Sequence, residues 1–143
     1  MQGKAKLYAV IDTNVIVSSF FSLDGTSNPA IVIGAVLSGA ITPLYNDEIL
    51  REYIDVLARP KFPFSKSQIE EVIAFFKDFG LDTKRTKATD EAFSDSDDIV
   101  FYEVMMTIGD AFLVTGNIKQ FPDQPFVVTP AEMVEILKKK GLL

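Results

Sequence analysis

The chain has 143 residues, 48% of them hydrophobic, with 14 basic against 20 acidic side chains and a formal net charge of −6. That is enough apolar material for one core, so a single domain over residues 1–143 is expected. Neither histidine nor cysteine occurs, which excludes Ser-His-Asp and cysteine-nucleophile hydrolases, histidine zinc peptidases, thiolate zinc sites and disulfide frameworks together. Catalysis would have to run on carboxylates, hydroxyls, amides, Lys or Arg, with a borrowed divalent metal. The acidic balance argues against nonspecific nucleic-acid binding, although a metal neutralises acids locally and basic patches hold phosphate. The apolar runs are too short and too interrupted by charge to span a bilayer, so no membrane partner is expected. No signal-peptide core follows residues 1–6, because Asp12 intrudes early, and a cytoplasmic location is expected.

In chain order, residues 7–11 (LYAVI) read as a strand buried on both faces and ending at Asp12. Residues 13–21 suit a short helix, and 23–28 a turn. Pro29 fits a first helical position after Asn28, and Ile31, Val32, Ala35 and Val36 form an apolar stripe up to Gly39. Residues 41–45 form a second strand. A helix follows over 46–58, capped by Asn46 or Asp47, with Ile49, Tyr53, Val56 and Leu57 on one face; Pro60 and Pro63 stop it. A further helix is predicted over 67–79, with Ser67 and Glu70 as a capping box and Gly80 as its stop. Residues 81–90 are polar and basic with a possible short strand. The acidic run from Ser94 to Asp98 leads into an apolar helix over 99–108, then strands at 111–115 and 126–129. Thr129, Pro130 and Glu132 cap the last helix, and the lysines at 138–140 suit its negative end. Alternation of strands and helices predicts a three-layer α/β/α sandwich around a central, mainly parallel sheet.

In such sheets ligands gather at the carboxyl ends of the strands. Asp12 stands there, followed by Thr13 and Asn14, and a carboxylate in that position is costly to desolvate without a cation or donors. Asp95, Asp97 and Asp98 open the helix that feeds the third strand, which capping alone also explains. Glu48 and Glu52 are neighbours on one helix face, a pattern common on solvated surfaces. Convergence of Asp12, one glutamate, Asp98 and Asn117 at one sheet edge would make an all-oxygen site suited to Mg²⁺ or Mn²⁺.

Val10-Ile11-Asp12-Thr13-Asn14-Val15 resembles the opening of PIN-domain nucleases, the fold of many VapC-like toxins of bacterial toxin–antitoxin systems. The resemblance continues through Asn46-Asp47-Glu48-Ile49-Leu50-Arg51-Glu52-Tyr53 and Val56-Leu57-Ala58-Arg59-Pro60-Lys61-Phe62. It returns at Asp95-Ser96-Asp97-Asp98, at Leu113-Val114-Thr115-Gly116-Asn117 and at Val128-Thr129-Pro130-Ala131-Glu132. It implies a metal-dependent endoribonuclease that hydrolyses phosphodiester bonds of single-stranded RNA, with water as nucleophile, Mg²⁺ or Mn²⁺ as cofactor, a cognate antitoxin protein as partner and a homodimer as assembly. Its acids fall on Asp12, Glu52 (with Glu48 as a second claimant) and Asp98 (with Asp95 and Asp97 beside it), implied as metal ligands and catalytic groups. The fourth catalytic position falls on Asn117, where many relatives carry Asp; an amide ligates a cation without bringing charge, so a weaker second metal position or a single-metal site follows. Asp123 stands close by in a probable loop and reads more simply as surface.

Thr13, Asn14 and Thr115 could position phosphate or water, or could satisfy turn backbone. Arg51, Arg59, Lys61 and Lys66, and separately Lys84, Arg85 and Lys87, could hold an RNA backbone or serve as solvated surface. Phe75, Phe76 and Phe79 read as core or dimer packing rather than as base-stacking groups. Two other readings compete. A catalytically impaired PIN-like module would bind RNA or protein without cutting, as Asn117 allows. A phosphotransfer domain of another doubly wound family is disfavoured because Asn14 stands where the second aspartate of such phosphatases would be needed.

Overall fold

Among the described residues, five short strands lie side by side, all parallel, in the order β3-β2-β1-β4-β5. They are β1 (Leu7–Ile11), β2 (Ile41–Tyr45), β3 (Leu81–Asp82), β4 (Phe112–Val114) and β5 (Val127–Val128). This computed structural model describes residues 7–85, 89–91, 93 and 95–143. Expectations that fell on residues 1–6, Lys87 and Ser94 lie outside the described residues. Among the described residues, six α-helices cover the two faces of the sheet: α1 (Thr13–Phe20), α2 (Asn28–Ser38), α3 (Asp47–Leu57), α4 (Lys66–Phe79), α5 (Ile99–Thr107) and α6 (Pro130–Lys139). The architecture is the three-layer α/β/α sandwich expected, and the sheet is wholly parallel.

The physical reason lies in the central strand. Ala9, Val10 and Ile11 are fully buried whichever face they point to, so β1 needs apolar cover above and below, which helical crossovers supply. β1 pairs with β2 through Leu7↔Ile41 and with β4 through Ile11↔Val114. Tyr53, Phe76 and Phe101 pack as a ring cluster under β1, with Tyr53 and Phe76 edge-on at 5.2 Å.

Local capping decides the helix starts. Asn46 accepts from the Ile49 amide at 2.9 Å, and Thr129 with Glu132 forms the expected capping box. Two starts differ from the sequence reading. The cap of α2 is Ser27, so the helix begins at Asn28 and Pro29 is its second residue. The capping box of α4 is Ser65 with Gln68, two residues before the Ser67–Glu70 pair, because Ser65 has the extended backbone that a cap needs. Asn46 itself is buried and Leu50 joins the buried face of α3, while Val56 is only half-buried. Of the phenylalanines on α4, Phe76 enters the core, Phe75 is half-buried and Phe79 is largely exposed.

Gly80 ends α4, but not through a left-handed conformation, since its backbone is extended at φ −88°. It is required by close approach: a Cβ there would stand 2.6 Å from the Phe76 carbonyl oxygen and 2.7 Å from that of Pro43. Two backbone atoms cannot yield as a side-chain tip would. Gly80→Ala is therefore expected to cost about 2–3 kcal/mol, read as a fall in the urea midpoint without a change of slope.

Candidate active site

From β1 the chain winds one way to β2 and β3, then returns to the other side for β4 and β5. A crevice lined by Glu48, Glu52, Arg85 and Asp97 opens nearby, and the switch point itself lies between the carboxyl ends of β1 and β4, where such sheets take ligands. Asp12 and Thr115 each follow one of those strands and meet across it. The Asp12 amide donates to the Val114 carbonyl at 2.9 Å. The Thr115 hydroxyl donates to Asp12 Oδ2 at 2.8 Å, and Asn14 Nδ2 donates to the same oxygen at 3.2 Å. Asn14 Oδ1 accepts from the Gly116 amide at 2.9 Å, and the Thr115 hydroxyl accepts from the Asn117 amide at 3.0 Å. Asn14 and Thr115 thus hold Asp12 in place. Even so, burial outweighs these donors and raises the Asp12 carboxyl above its ordinary range.

Tyr53 fixes the second wall. Fully buried, its hydroxyl donates to the Ile11 carbonyl at 2.5 Å, one residue before Asp12. That bond anchors the middle of α3 to the end of β1 and sets the adjacent Glu52 at the rim of the crevice. Glu52 is half-buried, and its carboxyl is raised by burial and by Asp97, Asp55 and Asp95, with Arg59 acting in the opposite direction.

The third wall is a 3₁₀ turn, Ser96–Asp98, leading into α5. Asp95 caps it, accepting from the Asp97 amide at 2.9 Å. Asp98 is 9% exposed, and its Oδ2 is buried with no hydrogen-bond partner. Burial first, and then the charges of Asp12, Asp95, Glu52 and Asp97, push its carboxyl up to about 7. The charges that act most strongly on Asp98 are all of its own sign. The Thr13 hydroxyl is a second buried oxygen without a partner. Glu48, the other claimant on α3, lines the same cleft as Glu52 but is ion-paired with Arg85 at 2.8 Å.

Asn117 is exposed, and its side chain does not cap the 3₁₀ turn Ile118–Gln120 that follows it. Its link to Asp12 runs from its backbone amide through the Thr115 hydroxyl. Asp123 is exposed in the loop beyond. Among the described residues, no group of three acidic side chains is gathered closely enough to hold a metal ion as the chains lie here. The donor chemistry nevertheless fits a hard divalent cation: the groups are oxygens throughout, two of them are buried and unpartnered, and the carboxyls repel one another.

Reading the sequence missed Glu103. Buried in α5, its Oε1 accepts from Arg85 Nε at 2.8 Å and its Oε2 from the Thr89 amide at 2.7 Å. A lone charge within the apolar helix IVFYEVMMT was the available signal. Arg85 therefore joins Glu48 on α3 to Glu103 on α5 and straps the chain after β3 beside the crevice. Arg85→Met leaves Glu103 buried without its cation and is expected to cost about 2–4 kcal/mol; Arg85→Met/Glu103→Leu should recover part of that loss in thermal unfolding.

A parallel sheet of this order, with Asp12, Glu52 and Asp98 acting on one another near its switch point, defines an α/β protein with an acidic sheet edge. The family model for the PIN domain matches residues 8–119, from β1 through the segment that carries Asn117, and the chain belongs to the PIN-domain family. PIN domains are generally nucleases and generally use divalent metals. No curated protein and no solved structure matches the chain. Among the described residues no helix is long and apolar enough to cross a membrane.

Proposed function

We propose that the chain is a metal-dependent endoribonuclease that hydrolyses phosphodiester bonds in single-stranded RNA, and that it is the toxin of a toxin–antitoxin pair, working as a cytoplasmic homodimer restrained by a cognate antitoxin. The observation that carries the catalytic reading is Asp98: a buried carboxylate with an unpartnered oxygen, set among like charges beside Asp12 and Glu52. Evolution retains such an arrangement at a cost to stability where a site needs it. A Mg²⁺ or Mn²⁺ ion held by Asp12, Glu52 and Asp98 would neutralise the acids, activate water and stabilise charge on the phosphate. Thr115 and Asn14 orient Asp12 toward that site, and Tyr53 keeps Glu52 at its rim. Thr13, with a free buried hydroxyl, is the best placed of the small polar residues to contact phosphate or water. Asn117 then contributes through the backbone rather than as a fourth charged ligand.

The test is cleavage of a mixed single-stranded RNA pool with Mg²⁺ and with Mn²⁺, beside Glu52→Gln and Glu48→Gln. Metal-dependent cutting lost in Glu52→Gln and kept in Glu48→Gln is the expected outcome. Equal loss in both would remove the assignment of Glu52 over Glu48. The exposed, uncharged Asn117 favours a second reading, a module that binds RNA without cutting it. Binding without cleavage by the folded wild-type protein would establish that reading instead.

A further inference from the structure

We propose that Phe21 and Phe62, with Arg59 and Lys61, form a subsite beside the acidic crevice that holds a flanking stretch of single-stranded RNA, its bases on the rings and its phosphates on the two cations. The inference rests on the ribonuclease reading above.

The charge distribution is the first support. In a chain of net charge −6, the stretch between Asp55 and Glu70 carries Arg59, Lys61 and Lys66 and no acid. Two distant segments then bring aromatic rings together beside these cations. Phe20 lies 4.9 Å from Phe64, Phe21 lies 5.8 Å from Phe64 and 6.4 Å from Phe62, and Phe62 stacks on Phe64 at 5.5 Å. The core does not use this cluster fully, since Phe20 is 41% and Phe21 54% exposed. The Lys61 ammonium already sits 5.2 Å from the Phe62 ring centre, so that face receives a cation.

Continuity with the crevice is the second support. Glu52, Asp55 and Arg59 follow one another at helical spacing along α3 and its last turn, about 10 Å along the axis. Arg59 is close enough to Glu52 to draw its carboxyl downward against the surrounding acids. A strand with one phosphate at the acids therefore meets Arg59 next, then Lys61 and the rings. Rings interleaved with cations suit an unpaired strand, because every base has a face to stack and duplexed bases do not offer theirs. The same surface would serve an apolar protein partner less well, since it would bury the two cations.

The test uses Asp12→Asn protein, which cannot consume the probe, and a labelled single-stranded RNA 12-mer followed by fluorescence anisotropy. In that background, Phe21→Ala/Phe62→Ala should weaken binding roughly tenfold or more and leave the salt dependence unchanged. Arg59→Gln/Lys61→Gln should also weaken binding and lower the slope of log affinity against log salt by about 1.4. The duplex of the same sequence should bind more weakly than the single strand. Circular dichroism and the melting temperature check that each variant is folded. Unchanged RNA affinity in both double variants overturns the subsite. So does a dimer, seen by sedimentation, that the phenylalanine pair dissolves while RNA affinity holds: the surface then pairs protein with protein. If the wild type does not cut RNA but the variants lose binding as stated, the subsite stands and the ribonuclease reading falls. If the wild type cuts and the variants bind as it does, only the subsite falls.

Discussion

Asp12→Asn is expected to abolish metal-dependent RNA cleavage while raising the melting temperature. Asp12 is buried and its carboxyl is raised above the usual range, chiefly by desolvation. A raised folded value means that stability is fullest in acid and is lost as pH rises through that value. At neutral pH the ionised form therefore costs folding free energy. An amide of the same shape keeps an oxygen toward the Thr115 hydroxyl, 2.8 Å away in the wild type, and removes a charge that acts on Asp98. The loss in rate should be at least about 1,000-fold, near 4 kcal/mol of transition-state stabilisation. Calorimetric unfolding with and without Mn²⁺ separates the two effects. The wild type should gain stability from the ion, and the variant should start higher and gain little. A variant that melts lower, or that still cuts at wild-type rate, would remove Asp12 from the centre of the site.

The second large effect is on pH. Folded Asp98 keeps its proton up to about pH 7, whereas an unfolded aspartate loses it near 3.8. Between those values the folded state binds more protons, so stability falls as pH climbs through that window and levels off above it. Asp98→Asn should flatten much of that fall and raise stability at pH 8 by about 1–2 kcal/mol, a figure discounted because solvent reaches the cluster. Metal and proton compete for the same oxygens. Apparent Mn²⁺ affinity measured by titration calorimetry should therefore rise roughly tenfold per pH unit below 7 and flatten above it. An affinity independent of pH from 6 to 8 would separate Asp98 from metal binding. Because the same carboxylates destabilise the fold and define the candidate site, stability and activity should move in opposite directions at Asp12 and at Asp98.

Legibility from sequence followed the range of the forces involved. The strands at 7–11 and 41–45 and the start of the last helix were readable to the residue, because an unbroken apolar run or a complete capping box is a local signal. The start of α4 was misplaced by two residues because two serines each preceded a plausible partner. Only the extended backbone at Ser65 distinguishes them. Gly80 was recognised as a stop for the wrong reason: its need is the nearness of Pro43, a residue 37 positions away. The resemblance already favoured Glu52 over Glu48, but the contact that occupies Glu48 was closed to inspection. Both lie on one face of α3, and the ion pair that Arg85 makes with Glu48 comes from beyond β3, outside the reach of any local pattern.

Residue type and local order alone decided the class of chemistry. Without histidine or cysteine only oxygen donors remain for a metal, and the alternation of apolar runs with capped helices permits little but a parallel α/β sheet. The motif around Asp12 and its serial companions located the acids. Tertiary packing decided what those acids experience. The return of the chain across β1 puts Thr115 against Asp12, the phenol of Tyr53 ties α3 to β1, and the 3₁₀ turn sinks Asp98 among like charges while leaving Asp95 as a cap. Helix and strand signals act over a few residues and survive in any context. Desolvation and the field of distant charges depend on which surfaces are brought together, and folding alone brings them together.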